Sequence, residues 1–216
     1  MFIGHFGVGL AAKGLAARTS LGTLFFAAQF LDLVWPVLLL LGLEHVRIAP
    51  GITRMSPFDF YDYPISHSLA SAAMWCLVVG AAYYTVRRNA HDAMIVGLAV
   101  VSHWALDLVV HRPDLPLWPG GPKVGWGLWN YWIPEIVVEG ATFAAGIWMY
   151  STVTRARDGL GRYAFWTLMG FLFCGWVASL LAGAPPNEQA MAWGALGMWI
   201  VMPWAWWADR HRQIIA

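Results

Sequence analysis

Long apolar runs separated by short polar segments dominate this chain. Six runs are long enough, at about 20 residues, to cross a bilayer core of roughly 30 Å as helices. They predict an all-α polytopic membrane protein with six transmembrane helices, at Leu21–Leu43, Ser66–Val86, Ala93–Val110, Tyr131–Val153, Tyr163–Ala182 and Gln189–Ala208. The apolar segment Met1–Ala17 is too short to span, so we expect it to dip into the bilayer or to lie on its surface. No linker divides the chain, which predicts a single transmembrane helical domain over residues 1–216.

The composition agrees with a membrane location. Hydrophobic residues make up 59% of the 216 positions and charged residues only 12%, about half of the charged fraction usual in soluble proteins. The formal net charge of +1 lacks the basic excess that phosphate backbones require, so nucleic-acid binding is not expected.

The distribution of basic residues predicts the orientation. Nine Lys and Arg residues lie on one side of the predicted helices, and four lie on the other side together with most of the loop carboxylates. The larger group is Lys13, Arg18, Arg87, Arg88, Arg155, Arg157, Arg162, Arg210 and Arg212, and the smaller is Arg47, Arg54, Arg112 and Lys123. The positive-inside rule therefore places both termini in the cytoplasm.

A polar stripe marks the third predicted helix. His103, Asp107 and His111 are spaced four residues apart, so on a helix all three would project from one face. Two imidazoles and a carboxylate are costly in an apolar helix unless they are paired. A divalent metal ion is the partner that best suits this mixture of ligands.

Further ionisable groups occur toward the outer side of the other early helices. Asp32 lies halfway along the first predicted helix, His67 opens the second, and Glu135 and Glu139 enter the fourth one turn apart. The last two helices contain almost no ionisable residue. We therefore expect these groups to form one site open to the outer leaflet, except Glu135, which follows Pro134 and is predicted to stabilise the start of its helix.

The ligand types indicate the chemistry of this site. Asp32, His67, His103 and Asp107 supply the nitrogen and oxygen atoms that suit zinc or another divalent ion, such as manganese, in an open catalytic site. The candidates for proton transfer, or for ligands of a second ion, are His111 and Glu139.

Four motifs carry a resemblance to a known family: Gly4-His5, Leu31-Asp32-Leu33, Ser66-His67-Ser68 and His103-Trp-Ala-Leu-Asp107. With these motifs the chain resembles the membrane-bound metal-dependent hydrolases, a family of the bacterial inner membrane that is itself distantly similar to zinc-dependent phospholipase C. The resemblance covers most of residues 1–140, and it implies an inner-membrane location.

The resemblance also implies a ligand set and a reaction. Asp32, His67, His103 and Asp107 would form the principal metal site, with His5 and His111 as additional candidates. The chain has one carboxylate in the first helix where the family has two, so we expect one ion, or two weakly held ones.

Three functions remain open on the sequence. The preferred one is a hydrolase in which a metal-activated water attacks an ester, with a phosphoester of a lipid or envelope precursor as the leading substrate class. Membrane lipids and an amphipathic substrate would then be its partners. The alternatives are a proton-coupled or metal-ion transporter that uses the same His/Asp cluster, and a non-catalytic scaffold with a structural metal.

Overall fold

The structure is a computed structural model that describes residues 1–215, and it is mostly helical. Its α-helices are α1 (Ile3–Ala11), α2 (Leu21–Ala28), α3 (Phe30–Leu40), α4 (Pro64–His67), α5 (Leu69–Arg87), α6 (Ala90–Val110), α7 (Trp132–Val153), α8 (Gly159–Leu181), α9 (Glu188–Leu196) and α10 (Val201–Arg210). Short 3-10 helices cover Ala12–Gly14, Leu128–Asn130 and Gly197–Ile200. Six short strands form three antiparallel pairs: β1 (His45–Ile48) with β2 (Phe58–Asp62), β3 (Leu115–Pro116) with β4 (Lys123–Val124), and β5 (Thr154–Ala156) with β6 (Arg212–Ile214).

The long apolar helices agree in part with the predicted spans. Four of them, α5, α6, α7 and α8, are long and apolar enough to cross a membrane. The first predicted span forms as α2 and α3, which are bent by 57° and give a fifth crossing if they are counted as one broken span. The sixth predicted span is divided into α9, a 3-10 turn and α10. The membrane-protein prediction is thus supported, whereas the count of six is not confirmed.

The N-terminal helix α1 lies in the interior of the helix bundle. Its residues Ile3, Phe6 and Leu10 are fully buried and pack in one core with residues of α2, α7, α8 and α10. The sequence predicts that this segment dips into the bilayer or lies on its surface, whereas α1 packs inside the protein, among residues of its other helices.

Two glycines permit α1 to approach α7 at backbone contact. A Cβ atom added to Gly7 would lie 2.5 Å from the carbonyl oxygen of Thr142, and one added to Gly146 would collide with the carbonyl oxygen of Gly7. Small residues at such crossings are a common device of membrane helix packing. Here they bring the middle of α1 against the middle of α7.

Polar contacts divide the bundle into two ends. At one end β5 pairs with β6, Lys13 Nζ donates to Asp209 Oδ2 at 2.8 Å, and the hydroxyls of Thr19 and Tyr83 are 2.7 Å apart. This end, which we call the basic end, gathers the helix termini that bear the larger group of Lys and Arg residues. The other end carries the β1–β2 and β3–β4 pairs and the polar cluster described below, and we call it the site end.

We predict that Gly146→Ala destabilises the protein by about 1–3 kcal/mol, the usual cost of overpacking a close contact. Gly170→Ala on α8 is the matched control, since no heavy atom lies within 4 Å of a Cβ atom added there. Thermal unfolding in detergent, followed by circular dichroism, would measure both. Equal midpoints for the two variants would show that the α1–α7 crossing is not close-packed.

Candidate metal centre

Four predicted ligands lie close together at the site end. Asp32 comes from α3, His67 from α4, and His103 and Asp107 from successive turns of α6. His67 Nε2 is 3.4 Å and His103 Nε2 is 3.6 Å from Asp32 Oδ1. The same nitrogens are 3.8 Å and 3.2 Å from Asp107 Oδ2. Ligands at 2.0–2.2 Å from a tetrahedral zinc ion are separated from each other by roughly 3.3–3.6 Å. The four distances are close to that separation. Asp32, His67 and His103 form one group whose ligand atoms all lie within 4.8 Å of one another, whereas Asp107 is grouped with His5 and His103.

A hydrogen bond to the backbone fixes the orientation of the His103 ring. Its Nδ1 atom is 2.9 Å from the carbonyl oxygen of Ala28, which can only accept, so Nδ1 carries the hydrogen. In the neutral ring Nε2 then presents a lone pair. This atom is buried and makes no hydrogen bond, although carboxylate oxygens of Asp32 and Asp107 lie nearby. Either a hydrogen on Nε2, which would then donate to Asp107 Oδ2 at 3.2 Å, or a metal ion would satisfy these facing acceptors.

The bend between α2 and α3 creates the acceptor for His103. α2 ends at Ala28, and Gln29 has a non-helical ψ of 5° before α3 begins. His103 reaches the Ala28 carbonyl at this break, while Asp32 follows in the first turn of α3. One irregularity thus orients one ligand and directs another toward it.

His67 is oriented by a second buried relay. Its Nδ1 atom is 2.7 Å from Ser66 Oγ, and Ser66 Oγ donates to Glu44 Oε2 at 2.6 Å. Since the serine hydrogen is used on Glu44, Ser66 Oγ accepts from His67, whose Nε2 lone pair faces Asp32. Burial raises the pKa of the Glu44 carboxyl above its ordinary value, and the hydrogen bonds from Ser66 act in the opposite direction. Such partners behind a histidine typically set its tautomer and strengthen metal binding.

The fold of α1 brings His5 into the same cluster. His5 Nε2 is 3.1 Å from Asp107 Oδ1, and its ring stacks on His103 with centroids 3.6 Å apart. The Oδ1 atom of Asp107 also accepts from the amino group of Met1, which is an ammonium in this structure, at 2.6 Å. His5, His103 and Asp107 form a second group with ligand atoms within 4.8 Å of one another, beside the group of Asp32, His67 and His103.

His111 lies beyond the helix on which we expected it. α6 ends at Val110 because His111 has an extended backbone, with ψ 144°. The prediction that it shares a helix face with His103 and Asp107 is wrong in that respect, yet His111 Nε2 is still 3.9 Å from Asp107 Oδ2. Its Nδ1 atom is 2.9 Å from Asp114 Oδ1.

Asp114 is itself held in place by two neighbours. Its Oδ2 atom accepts from Arg112 Nε at 3.0 Å, and the hydroxyl of Tyr63 lies 3.5 Å from its Oδ1 atom. Burial raises the pKa of the Tyr63 hydroxyl well above its ordinary value, and the negative charge of Asp114 raises it further. The hydroxyl therefore stays neutral and can donate a hydrogen bond. His111 is therefore a ring with one nitrogen anchored and the other facing the cluster.

The two glutamates of α7 have different surroundings. Glu139 Oε1 accepts from the backbone nitrogens of Phe2 and Gly4, and its Oε2 atom accepts from Trp176 Nε1 at 3.0 Å. This geometry favours an anchor for the start of α1 over the predicted role in proton transfer. Glu135 lies in the first turn of α7, as expected, but it is buried and its Oε2 atom has no partner.

Glu44 and Asp114 are the functional candidates that the sequence did not identify, since both were counted as loop charges. Asp114 could have been recognised from its position three residues after His111. Glu44 has no local signal, because its partner Ser66 is 22 residues away.

A cavity of about 490 Å³ connects the cluster to the surface. Asp32, His67, Asp107 and His111 line its inner part, and the loop between β1 and β2, including exposed Arg54, lines its rim. Trp129 packs on the His111 ring at 4.2 Å between centroids. A ligand of moderate size can therefore reach the candidate ligands.

We predict that the purified protein binds about one zinc or manganese ion per chain, and that His103→Ala and Asp107→Ala reduce this to below about a tenth, because each removes a candidate ligand. Elemental analysis after removal of loosely bound ions would measure it. His91→Ala is the matched control, because His91 is exposed and lies at the basic end. Equal metal content in all four proteins, or none in the wild type after reconstitution, would contradict the site.

We also predict that Ser66→Ala weakens metal binding by roughly 10–100-fold, because His67 loses the acceptor that orients its ring. Competition with a chromophoric chelator would give the affinities. Ser102→Ala is the control, since the Ser102 hydroxyl bonds only within its own helix, to the Ala99 carbonyl. An unchanged metal affinity in Ser66→Ala would show that Ser66 and Glu44 do not support metal binding by His67.

Comparison with protein-family models, with curated proteins and with solved structures found no match to this chain. The arrangement of its own side chains is thus the basis for a functional proposal.

Proposed function

We propose that this protein is a metal-dependent hydrolase of the bacterial inner membrane, with six membrane crossings, its basic end and C-terminus in the cytoplasm and its site at the outer leaflet. The predicted cytoplasmic position of the N-terminus does not fit the structure, because Met1 lies against Asp107 at the site end. The observation that carries the proposal is the converging set of Asp32, His67, His103 and Asp107, in which each histidine is held so that Nε2 faces carboxylate oxygens. The clustering of basic residues at the end opposite the site supports the orientation.

The arrangement of the cluster supports catalysis more than a structural role. A divalent ion, when bound, supplies a Lewis acid and lowers the pKa of water enough to provide hydroxide near neutral pH. The ligands lie at the inner part of a cavity that reaches the surface, so a fourth or fifth position is accessible to a substrate. Structural zinc sites, by contrast, are closed by protein ligands.

His111 is the residue best placed to move a proton. Its Nδ1 atom is held by Asp114, which leaves Nε2 on the cavity side near Asp107. A histidine with one anchored nitrogen can accept a proton from an attacking water and pass it to a leaving group. Glu139 already accepts three hydrogen bonds from the protein, so His111 is the preferred candidate.

The substrate that we propose is an ester, and specifically a phosphoester of a lipid or envelope precursor, because a divalent Lewis acid suits that bond. Trp35, Phe60 and Trp129 line the cavity beside the cluster and provide an apolar surface for an amphipathic molecule. Membrane lipids would accordingly be the partners of this protein.

The second candidate, a proton-coupled or metal-ion transporter, has less support. It needs polar groups that continue from the cluster toward the other end of the bundle. Among the described residues, that route is filled by an apolar core that includes Phe6, Leu10 and Phe25.

We predict that zinc- or manganese-loaded protein hydrolyses bis(p-nitrophenyl) phosphate or a fluorogenic phospholipid, and that Asp32→Asn and His103→Ala abolish the activity. His111→Gln should retain the metal and lower the rate by about 10²–10⁴-fold, the usual contribution of a general acid–base group. Product release in detergent and in nanodiscs would measure both, with His91→Ala as control.

The hydrolase proposal would be contradicted if the metal-loaded wild-type protein were no more active than His103→Ala on phosphate, carboxylate and lipid esters. Metal-ion or proton flux in proteoliposomes that is lost in His103→Ala would then favour the transporter.

A further inference from the structure

A cleft of about 550 Å³ lies at the basic end of the protein, opposite the candidate metal ligands. Its lining includes three arginines from two separate parts of the chain, namely Arg18, Arg87 and Arg88. Arg18 precedes α2, whereas Arg87 and Arg88 lie where α5 ends and the chain turns into α6. The proposed hydrolase mechanism gives this cleft no role.

Hydrogen bonds hold the two arginine-bearing segments together. Thr19 follows Arg18 in the chain, and its Oγ1 atom is 2.7 Å from the hydroxyl of Tyr83 on α5. The same Oγ1 atom donates to Asp92 Oδ2, in the first turn of α6, at 3.2 Å. Thr19 and Asp92 are buried. This network therefore fixes the segment before α2 against the α5–α6 turn, with the arginines around one cleft.

The cleft carries more positive than negative charge. One carboxylate lines it, that of Asp92, which already accepts from Thr19 and lies 3.3 Å from His91 Nδ1. Among residues 1–215, none of the three guanidinium groups takes part in an ion pair or a side-chain hydrogen bond. By contrast, Lys13 at the same end is paired with Asp209. Three unpaired positive charges thus surround a space that an anion can enter.

The backbone of Arg88 gives a second indication that its side chain has a partner. Arg88 is the C-cap of α5 and has φ 53° and ψ 30°, in the left-handed region. Glycine is preferred there, because it has no Cβ atom to clash with the backbone. A cation near the end of the α5 dipole is already supplied by Arg87. An arginine at a position that favours glycine is therefore explained by its charge in the cleft.

The surroundings of the cleft identify a lipid as the source of the anion. Both α5 and α6 are long and apolar enough to cross a membrane, so the turn between them lies at the depth of the lipid headgroups. Val86 lines the cleft and is 78% exposed, and only 11% of the apolar window of α5 is buried. An acyl chain can therefore lie along α5 while its phosphate enters the cleft.

We propose that this arginine cleft binds the phosphate of an anionic phospholipid, such as phosphatidylglycerol, in the leaflet at the basic end. Guanidinium groups form charge-assisted and often bidentate hydrogen bonds with phosphate oxygens. A phosphatidylcholine headgroup has the same phosphate, but its quaternary ammonium is repelled by the arginines. The cleft therefore selects for lipids with net negative charge. The site is independent of the proposed metal centre and of ester hydrolysis.

The test compares two lipids that differ in headgroup charge. Native mass spectrometry of the full-length protein, titrated with phosphatidylglycerol and with phosphatidylcholine of the same acyl chains, should show tighter binding of phosphatidylglycerol by about tenfold, since several arginines act on it together. Arg87→Gln and Arg88→Gln should each weaken this binding roughly fivefold, the usual contribution of one basic residue near an anionic lipid. Arg162→Gln is the matched control, because Arg162 is exposed at the start of α8, at the same end, and does not line the cleft.

Arg88→Gly separates loss of the site from loss of the fold. Glycine suits the left-handed backbone at this position, so in lipid-free detergent this variant should unfold at a temperature equal to or above that of the wild type. It should nevertheless bind phosphatidylglycerol about as weakly as Arg88→Gln, because both variants lack the guanidinium group. Wild-type affinity in Arg88→Gly would show that the charge of Arg88 has no part in lipid binding and would overturn the proposal.

Equal affinity of the wild type for the two lipids would also overturn the site, as would a loss in Arg162→Gln as large as that in Arg88→Gln. Glycerol 3-phosphate carries the phosphate without acyl chains. If it bound as tightly as phosphatidylglycerol, the lipid occupant would be contradicted. None of these measurements depends on metal content or on ester hydrolysis, so their failure is distinguishable from failure of the hydrolase proposal.

Discussion

The carboxylate of Asp107 is the contact on which the site end of this protein depends. One of its oxygens lies 3.1 Å from His5, and the other lies 3.2 Å from His103 and within 4 Å of His67 and His111. A single side chain of α6 thereby connects α1, α4 and the segment that follows α6. An anion so deeply buried is stable only with positive charge around it. The amino group of Met1 and the surrounding histidines can supply this charge, so the position of the helices around Asp107 and its charge balance are two aspects of one constraint.

The groups behind the histidines show how the fold meets this constraint. The Ala28 carbonyl and the Ser66–Glu44 pair accept the Nδ1 hydrogens of His103 and His67, so both Nε2 atoms are directed inward. Neither acceptor depends on a flexible surface side chain, since one is backbone at a helix break and the other is buried. The geometry is consequently set before any ion binds, which lowers the reorganisation that binding requires.

Much of the site could be predicted from sequence, because ionisable residues in apolar helices are few and informative. His103 and Asp107 follow from helical spacing alone, and His67 and Asp32 from their presence in otherwise apolar windows. The placement of His5 could not be derived, because it depends on the α1–α7 glycine crossing between residues more than 130 positions apart. Asp114 and Glu44 were missed because a loop carboxylate has the same appearance in sequence whether it is solvated or buried. The bend at Gln29 is also hidden, since an apolar window of 23 residues does not reveal where a helix will break.

The burial of α1 has a consequence for the assembly of the protein in the membrane. Nine residues cannot cross a bilayer, and the helix that α1 packs against, α7, begins about 120 residues later in the chain. At a synthesis rate of roughly 5–20 residues per second, α1 waits on the order of ten seconds before its docking surface exists. The cluster around Asp107 is therefore completed only after four long apolar segments have been made, and a nascent chain that stops earlier contains the histidines without the site.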